Sequence, residues 1–329
     1  MVDVPSLLDT VLDRTLIPGY SRIGHLIRRR SWTGDRADPR RSSLAGRTAL
    51  VTGAGGGLGE AAATGLVRLG ATVHLLVRSP DKGRAAQDRI IEAVPGLSRD
   101  RVPVQVCDLG ELAGVREFAA RFADEVPTLD VLVHNAGLLP AERSETSEGN
   151  ELTLAVHVLG PLLLTRLLAD TLAAGATRTG TDSRVIFVSS GGMYAQPLRD
   201  DDLQFARGDY GGTAAYARTK RMQVVLTGSL AEELAPRNIT VHAMHPGWAR
   251  TPGVTGSLPL FDRVVGPVLR TPAQGADTAV WLAAAPAAAI GTGRFWHDRA
   301  VRPAHYLSRT KETAAQRDRF LAEVDRLTG

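Results

Sequence analysis

The chain has 329 residues, a formal net charge of +4, 43% hydrophobic residues and 22% charged residues. That balance is ordinary for a folded globular protein, and so small a basic excess gives no argument for a nucleic-acid partner. No stretch approaches ~20 apolar residues free of charge, which argues against a spanning helix, and the single cysteine, Cys107, excludes an intrachain disulfide.

The opening residues lack the basic start and apolar core of a secretory signal, so cytoplasmic residence is the expectation. Leu7, Leu8, Val11, Leu12 and Leu16 recur at helical spacing, followed by Arg28, Arg29, Arg30 and Trp32. This predicts an N-terminal extension over 1–45: a helix packed on the main domain, then a solvated linker around Asp38-Pro39-Arg40-Arg41. The alternative is peripheral membrane contact, with the arginines meeting anionic lipid; Asp9 and Asp13 weigh against it.

From Arg47 onward strands and helices alternate. Strands are expected over 48–52, 72–77, 102–106, 131–134, 184–189 and 239–244, with a last short one over 293–296. Clear helical runs cover 58–69, 213–235 and 311–327. This alternation predicts an α/β fold: a Rossmann-type doubly wound parallel sheet flanked by helices, one domain over 46–329 with a C-terminal tail from about 300.

Thr52-Gly-Ala-Gly-Gly-Gly-Leu-Gly59 falls between the first strand and the first helix of that domain. Gly53, Gly57, Leu58 and Gly59 would let bare backbone approach a pyrophosphate, with the helix N-terminus supplying N–H groups and a favourable dipole. The second strand ends in Leu75-Leu76-Val77-Arg78, with no carboxylate to hold a ribose 2′-hydroxyl. A guanidinium there suits a 2′-phosphate, so NADP(H) is the expected cofactor. Asp108 and the run Asn135-Ala136-Gly137 follow the third and fourth strands, at the edge where open sheets gather ligands. Asp108 reads either as an acceptor for the adenine amino group or as the cap of a helix beginning at Glu111.

Tyr216 and Lys220 lie four apart in a helical run and share a face. Such a pair is common on surfaces, so a catalytic reading rests on the company it keeps. An adjacent ammonium, together with an oxidised nicotinamide, is expected to lower the phenol from about 10 toward working pH. Ser190 ends the fifth strand, and its hydroxyl can donate to the substrate oxygen that Tyr216 addresses; Ser189 is its competitor. The loop over 191–212, with Asp200-Asp201-Asp202, is expected on the substrate side as an exposed acidic loop rather than a metal site.

In order and spacing, Thr52-Gly53-x3-Gly57-x-Gly59, Asn135-Ala136-Gly137, Ser190, Tyr216-x3-Lys220 and Pro246-Gly247 with Thr251 resemble the short-chain dehydrogenase/reductase (SDR) family, from about 43 to 299. Finer strings, among them Met244-His-Pro-Gly-Trp248 and Gly293-Arg-Phe-Trp-His-Asp298, look like its SDR family member 12 group, which also carries an N-terminal extension. The resemblance implies a general acid/base role for Tyr216, a hold on the nicotinamide ribose by Lys220, and a carboxamide seat at Pro246, Gly247 and Thr251. It also implies homo-oligomers paired through two long helices, which the extra terminal segments here stand to block.

One position departs from the family pattern: His157 stands where an asparagine is expected. Pro161 offers no N–H to the carbonyl of residue 157. The expectation is therefore that this carbonyl is free to serve the proton relay toward Lys220, while the imidazole packs or adds a pH response near 6.5. The segment 254–269, with Leu258, Leu260, Phe261, Val264 and Val265, is apolar enough for a substrate lid within about 250–270. The reading is an NADP(H)-dependent oxidoreductase acting on a small apolar carbonyl or alcohol. The alternative is a non-catalytic NADP(H)-binding scaffold or sensor, which His157 alone favours.

Overall fold

Short runs rich in valine, leucine and isoleucine form the strands β1 (Thr48–Thr52), β2 (Thr72–Val77), β3 (Val104–Val106), β4 (Val131–His134), β5 (Ser183–Val188), β6 (Ile239–Met244), β7 (Arg294–His297) and β8 (Ala300–Val301). The computed structural model describes Asp9, residues 12–250 and residues 266–329. The strands make one eight-stranded sheet in the order β3-β2-β1-β4-β5-β6-β7-β8. All neighbours are parallel except the β7–β8 hairpin. Strand order reverses between β1 and β4, so the crevice at their carboxyl ends is where such sheets bind ligands.

The extension contributes α1 (Leu16–Tyr20) and α2 (Arg22–Arg29). Around the sheet lie α3 (Gly57–Arg68), α4 (Pro80–Ala93), α5 (Leu112–Glu125), α6 (Leu152–Leu167), α7 (Ala169–Thr179), α8 (Gly212–Leu234), α9 (Pro272–Ala284) and α10 (Ala314–Thr328). Phe118, Phe122, Leu162, Met222, Leu226 and Phe320 fill the core on one face, and Ala62, Leu66, Ile90, Trp281 and Trp296 that on the other. With both faces covered, strands such as β4 and β5 are buried along their whole length, which is why they read as continuous apolar runs rather than alternating ones.

Among the described residues no single helix is long and apolar enough to cross a membrane; the bent pair α6–α7 has the length and composition, but most of its leucines pack in the core. The C-terminal helix α10 buries Phe320 and Val324, and Asp325 meets Arg166 of α6 at 2.7 Å.

The extension is sewn into the domain. Arg28, 4% exposed, pairs with Asp298 at 2.8 Å and with Asp9 at 2.7 Å. It is therefore unavailable to a lipid surface, whereas Arg29 and Arg30 remain exposed. Trp32 is buried beneath the Arg299 guanidinium, 4.0 Å above its ring. Asp38 reaches Arg299 at 2.8 Å, so the expected linker is tied down at that residue. Leu7, Leu8 and Val11 lie outside the described residues.

Candidate active site

The turn after β1 is built backbone against backbone. Gly53 has φ +66°, and a Cβ there would lie 2.7 Å from Ala136 Cα. Thr52 Oγ1 accepts the N–H groups of Asn135 and Ala136, each at 3.0 Å, while Asn135 Nδ2 donates to the carbonyls of Thr52 (2.9 Å) and Gly53 (3.3 Å). A Cβ on Gly59 would fall 2.4 Å from that same amide nitrogen. Asn135 thus stitches the loop after β4 to the glycine turn. Gly56 precedes α3 with no side chain to cap it and with open space where a Cβ would point. The uncapped start of α3, with Gly57 at φ +58° and then Leu58, leaves N–H groups facing the sheet edge, which fits a pyrophosphate.

Arg78, 71% exposed at the end of β2, stands 3.8 Å from Asp108 across the same edge. Asp108 Oδ1 accepts the Gly110 N–H at 2.9 Å. The helix-cap reading of Asp108 is corrected: α5 starts at Leu112, and Glu148 caps it, taking the N–H groups of Leu112 and Ala113 at 3.0 and 2.8 Å. The signal for Glu148 is invisible in sequence because it comes from a loop 35 residues away.

At the end of β5 the two serines separate by their partners. Ser189 is buried and donates to the Lys220 carbonyl at 2.9 Å, anchoring α8. Ser190 accepts the Gly192 N–H at 3.2 Å and stands near enough to the Tyr216 phenol to lower it. Lys220 is buried and donates to the Val188 carbonyl at 2.9 Å, with Nζ 5.5 Å from the Tyr216 ring centre. Burial pulls its ammonium down to about 7. Burial also raises the phenol above its ordinary 10, against a smaller lowering from Ser190. Lys220 points its charge at a carbonyl and by itself does not bring the phenol down, so the expected lowering is left to the positive nicotinamide.

His157 lies in a π-helical turn, Ala155–Leu159, inside α6. Its carbonyl is not free as expected, because Gln223 Nε2 donates to it at 2.8 Å. Pro161 removed one donor, and a buried glutamine one turn beyond Lys220 on α8 supplies another. The imidazole Nε2 accepts the Leu138 N–H at 3.0 Å, and Nδ1 meets Thr219 Oγ1 at 2.7 Å. Thr219 donates onward to the Tyr216 carbonyl at 2.9 Å, so Nδ1 carries the proton. The ring is edge-on to Tyr216 at 5.4 Å, and a Cβ on Gly137 would lie 3.1 Å from its Nε2. His157 therefore ties the loop after β4 to the helix of Tyr216. Burial first and Lys220 second hold it neutral, well below 6.5. A pH response near 6.5 is thus not expected: nitrogen NMR should show one Nδ1–H tautomer unchanged from pH 8 to 5, and an imidazolium appearing near pH 6 would refute this.

Gly247 has φ +70°, and a Cβ on it would strike Arg270 Nε at 2.4 Å and the Tyr20 carbonyl at 2.6 Å. The turn after Pro246 is thus closed from behind by the extension. Thr251, and the part of the expected 254–269 lid that carries Leu258, Leu260, Phe261, Val264 and Val265, lie outside the described residues; Gly266–Val268 at its end form a 3₁₀ turn. In the loop after Ser190, Asp200 pairs with Arg319 at 2.7 Å, Asp201 with Arg199 at 3.0 Å and Asp202 with Arg218 at 3.6 Å. Sequence reasoning missed Thr219, Gln223, Tyr20, Arg270 and Asp298. Only Asp298 lies in a string singled out in the sequence, Gly293-Arg-Phe-Trp-His-Asp298, and there without a role; the fold alone brings all five to the site.

The short chain dehydrogenase family model matches residues 47–258. The chain is 39% identical over 286 residues to dehydrogenase/reductase SDR family member 12 of Bos taurus, covering 86% of each. It is 33% identical to human retinol dehydrogenase 14, covering 77% of this chain and 78% of the relative. Among solved structures it resembles the Pseudomonas aeruginosa RhlG/NADP active-site complex (25% identity, TM-score 0.62, 77% of this chain and 95% of that one). It also resembles 3-ketoacyl-(acyl-carrier-protein) reductase from Brucella melitensis complexed with NADH (27% identity, TM-score 0.58, 77% and 96%). With the family model spanning the glycine turn, Ser190, Tyr216 and Lys220, this chain belongs to the short-chain dehydrogenase/reductase family of oxidoreductases, which bind a nicotinamide cofactor.

Proposed function

We propose that the protein reduces a carbonyl on a small apolar molecule, or oxidises the corresponding alcohol, with NADP(H) as its cofactor. The observation that carries this reading is the placing of the Tyr216 phenol beside Ser190 at the carboxyl edge of β5, one helical turn from Lys220. Bound, the cofactor supplies or accepts a hydride. Gly53, Gly57, Leu58 and Gly59 would hold its pyrophosphate; Asp108, Asn135, Ala136 and Gly137 would line its path along the sheet edge; Pro246, Gly247 and Thr251 would seat its carboxamide. Tyr216 gives its phenolic proton to the carbonyl oxygen in reduction and takes it back in oxidation, while Ser190 donates a hydrogen bond to the same oxygen. Lys220, released from the Val188 carbonyl, would hold ribose hydroxyls. The preference for an apolar substrate rests on the apolar 254–269 segment and on the similarity to a retinol dehydrogenase.

The test is a panel of hydrophobic aldehydes and ketones followed at the NADPH absorbance band, with Tyr216→Phe as control. NADPH binding without turnover of any member would point instead to a binding scaffold. NADP preference is assigned to Arg78, which is exposed at the end of β2 and carries only a loose partner. Loss of a charge-assisted contact to a phosphate costs about 1.5–3 kcal/mol. Arg78→Ala is therefore expected to weaken NADPH binding by roughly ten- to a hundredfold and leave NADH binding unchanged, as read by cofactor fluorescence titration. Equal weakening of both cofactors would remove Arg78 from the 2′-phosphate.

A further inference from the structure

The N-terminal extension delivers one aromatic ring to the carboxyl edge of the sheet, outside both main cores. Tyr20 ends α1 and is only 4% exposed. On one side it lies directly on the turn that follows Ser190: a Cβ on Gly191 would sit 2.9 Å from Tyr20 Cε2. On the other side it meets the loop after β6, edge-on to His245 at 4.6 Å and to Trp248 at 6.0 Å, and it is also edge-on to His297 at 5.3 Å. Its backbone joins the same loop, because the Tyr20 carbonyl accepts the Trp248 N–H at 2.8 Å and Arg270 Nε at 3.0 Å.

The ring is held in place by buried charge. Gly19 O accepts from Arg28 at 2.7 Å and from Arg270 at 3.2 Å, and both guanidiniums are locked to Asp298. A ring that only filled volume would sit in a core. This one bridges two loops that otherwise come from different strands and carry different parts of the chemistry. Ser190 accepts its N–H from Gly192, so the position of the Gly191 turn sets the direction of the Ser190 hydroxyl.

We propose that Tyr20 is a positioning residue: its ring clamps the Ser190–Gly191 turn against the Pro246–Trp248 loop and so makes the N-terminal extension a wall of the active site. The inference rests on Ser190 and Tyr216 being the chemical centre. Side-chain truncation removes the ring but keeps the backbone contact to Trp248, so the two loops should loosen while the glycine turn for the pyrophosphate stays intact.

The full-length protein is tested as Tyr20→Ala, Tyr20→Phe and Gly191→Ala. Displacing a positioned group by about an ångström costs up to a hundredfold, so kcat of Tyr20→Ala is expected to fall roughly ten- to a hundredfold, with the NADPH dissociation constant within about twofold of the parent. Amide hydrogen exchange should quicken in segments 189–195 and 245–250 and stay unchanged in β4 and β5. Tyr20→Phe, which keeps the ring, should restore both readouts. Gly191→Ala, which crowds the ring from the other side, should lower kcat alone and covers the case in which Tyr20→Ala does not fold.

Parent-like exchange in both segments of Tyr20→Ala would overturn the clamp, as would quickened exchange with unchanged kcat. A loss of kcat that runs parallel with lost NADPH affinity and quickened exchange throughout β4 and β5 would overturn it too, by marking a general loss of stability. Should the parent turn over no substrate, the reductase reading fails on its own account, and the exchange comparison alone decides whether Tyr20 holds the two loops.

Discussion

Tyr216→Phe is expected to cut turnover by about 10²–10⁴-fold in either direction, with NADPH binding little changed. The substitution deletes one hydroxyl from a half-buried ring whose edge-on contact with His157 and position over Lys220 are made by carbon atoms, so the fold has little reason to respond. What is lost is the phenol that stands beside Ser190, and with it the proton the carbonyl oxygen needs. The pH dependence has a definite sign. Burial holds the phenol above its usual 10, so the protonated acid is populated throughout the neutral range. Tyr216 should therefore put no break in reduction with NADPH between pH 6 and 8 and should limit it only in alkali, a break near 7 belonging to Lys220. Oxidation needs the ionised phenol and should rise with pH, unless the positive nicotinamide of the oxidised cofactor brings the phenol down first. Stopped-flow hydride transfer measured in both directions against pH separates the two cases. Retention of more than about a tenth of parent activity in Tyr216→Phe would sink the acid/base role.

Most of the sheet was legible in the sequence because a strand–helix alternation with glycine turns is a local pattern: β1, β2, β4 and β6 begin and end where the runs at 48–52, 72–77, 131–134 and 239–244 do. Boundaries slipped where the signal is not local. β3 starts at Val104 rather than 102, since Val102 and Pro103 approach the sheet through a 3₁₀ turn at Arg99–Arg101. The glycine turn, Tyr216 and Lys220 were legible as spacing. What surrounds them was not. That the His157 carbonyl is taken by Gln223 depends on how α6 packs against α8, and no spacing rule carries that distance. Nor does the i, i+4 spacing of Tyr216 and Lys220 reveal that the ammonium turns to the Val188 carbonyl. The fate of Arg28 was ambiguous for the same reason: its partner Asp298 is 270 residues away.

Asp298→Ala is expected to be the most damaging single substitution for stability, lowering it by about 3–5 kcal/mol. Asp298 is 2% exposed and holds Arg270 through both oxygens, at 2.6 and 2.8 Å, and Arg28 at 2.8 Å. Removing it leaves the Arg270 guanidinium buried without its carboxylate and Arg28 with Asp9 alone, and the penalty is the cost of that unpaired charge rather than the value of the bonds. The backbone gives independent support. Asp298 and Arg299 form the two-residue β7–β8 turn, and both have positive φ (51° and 57°), a conformation that hairpins usually assign to Asn-Gly. A strained Asp-Arg pair persists only if the surrounding structure holds it, and here each side chain is held: Asp298 by the arginines, Arg299 by Asp277 at 2.7 Å. Asp298→Asn relaxes the turn but still removes the charge, so it should cost less than alanine yet remain clearly destabilising. Burial alone would raise the carboxyl; Arg270 and then His297 outweigh it and hold it well below 3.8. A depressed carboxyl contributes stability that is fully present above the unfolded value near 3.9 and is lost as pH falls toward the folded one. The gap between parent and Asp298→Asn should therefore be constant from pH 8 to 5 and narrow only below about 4, as measured by denaturant midpoints across that range. A gap that closes between pH 5 and 7 would mean that a group other than this carboxylate governs how the extension is held.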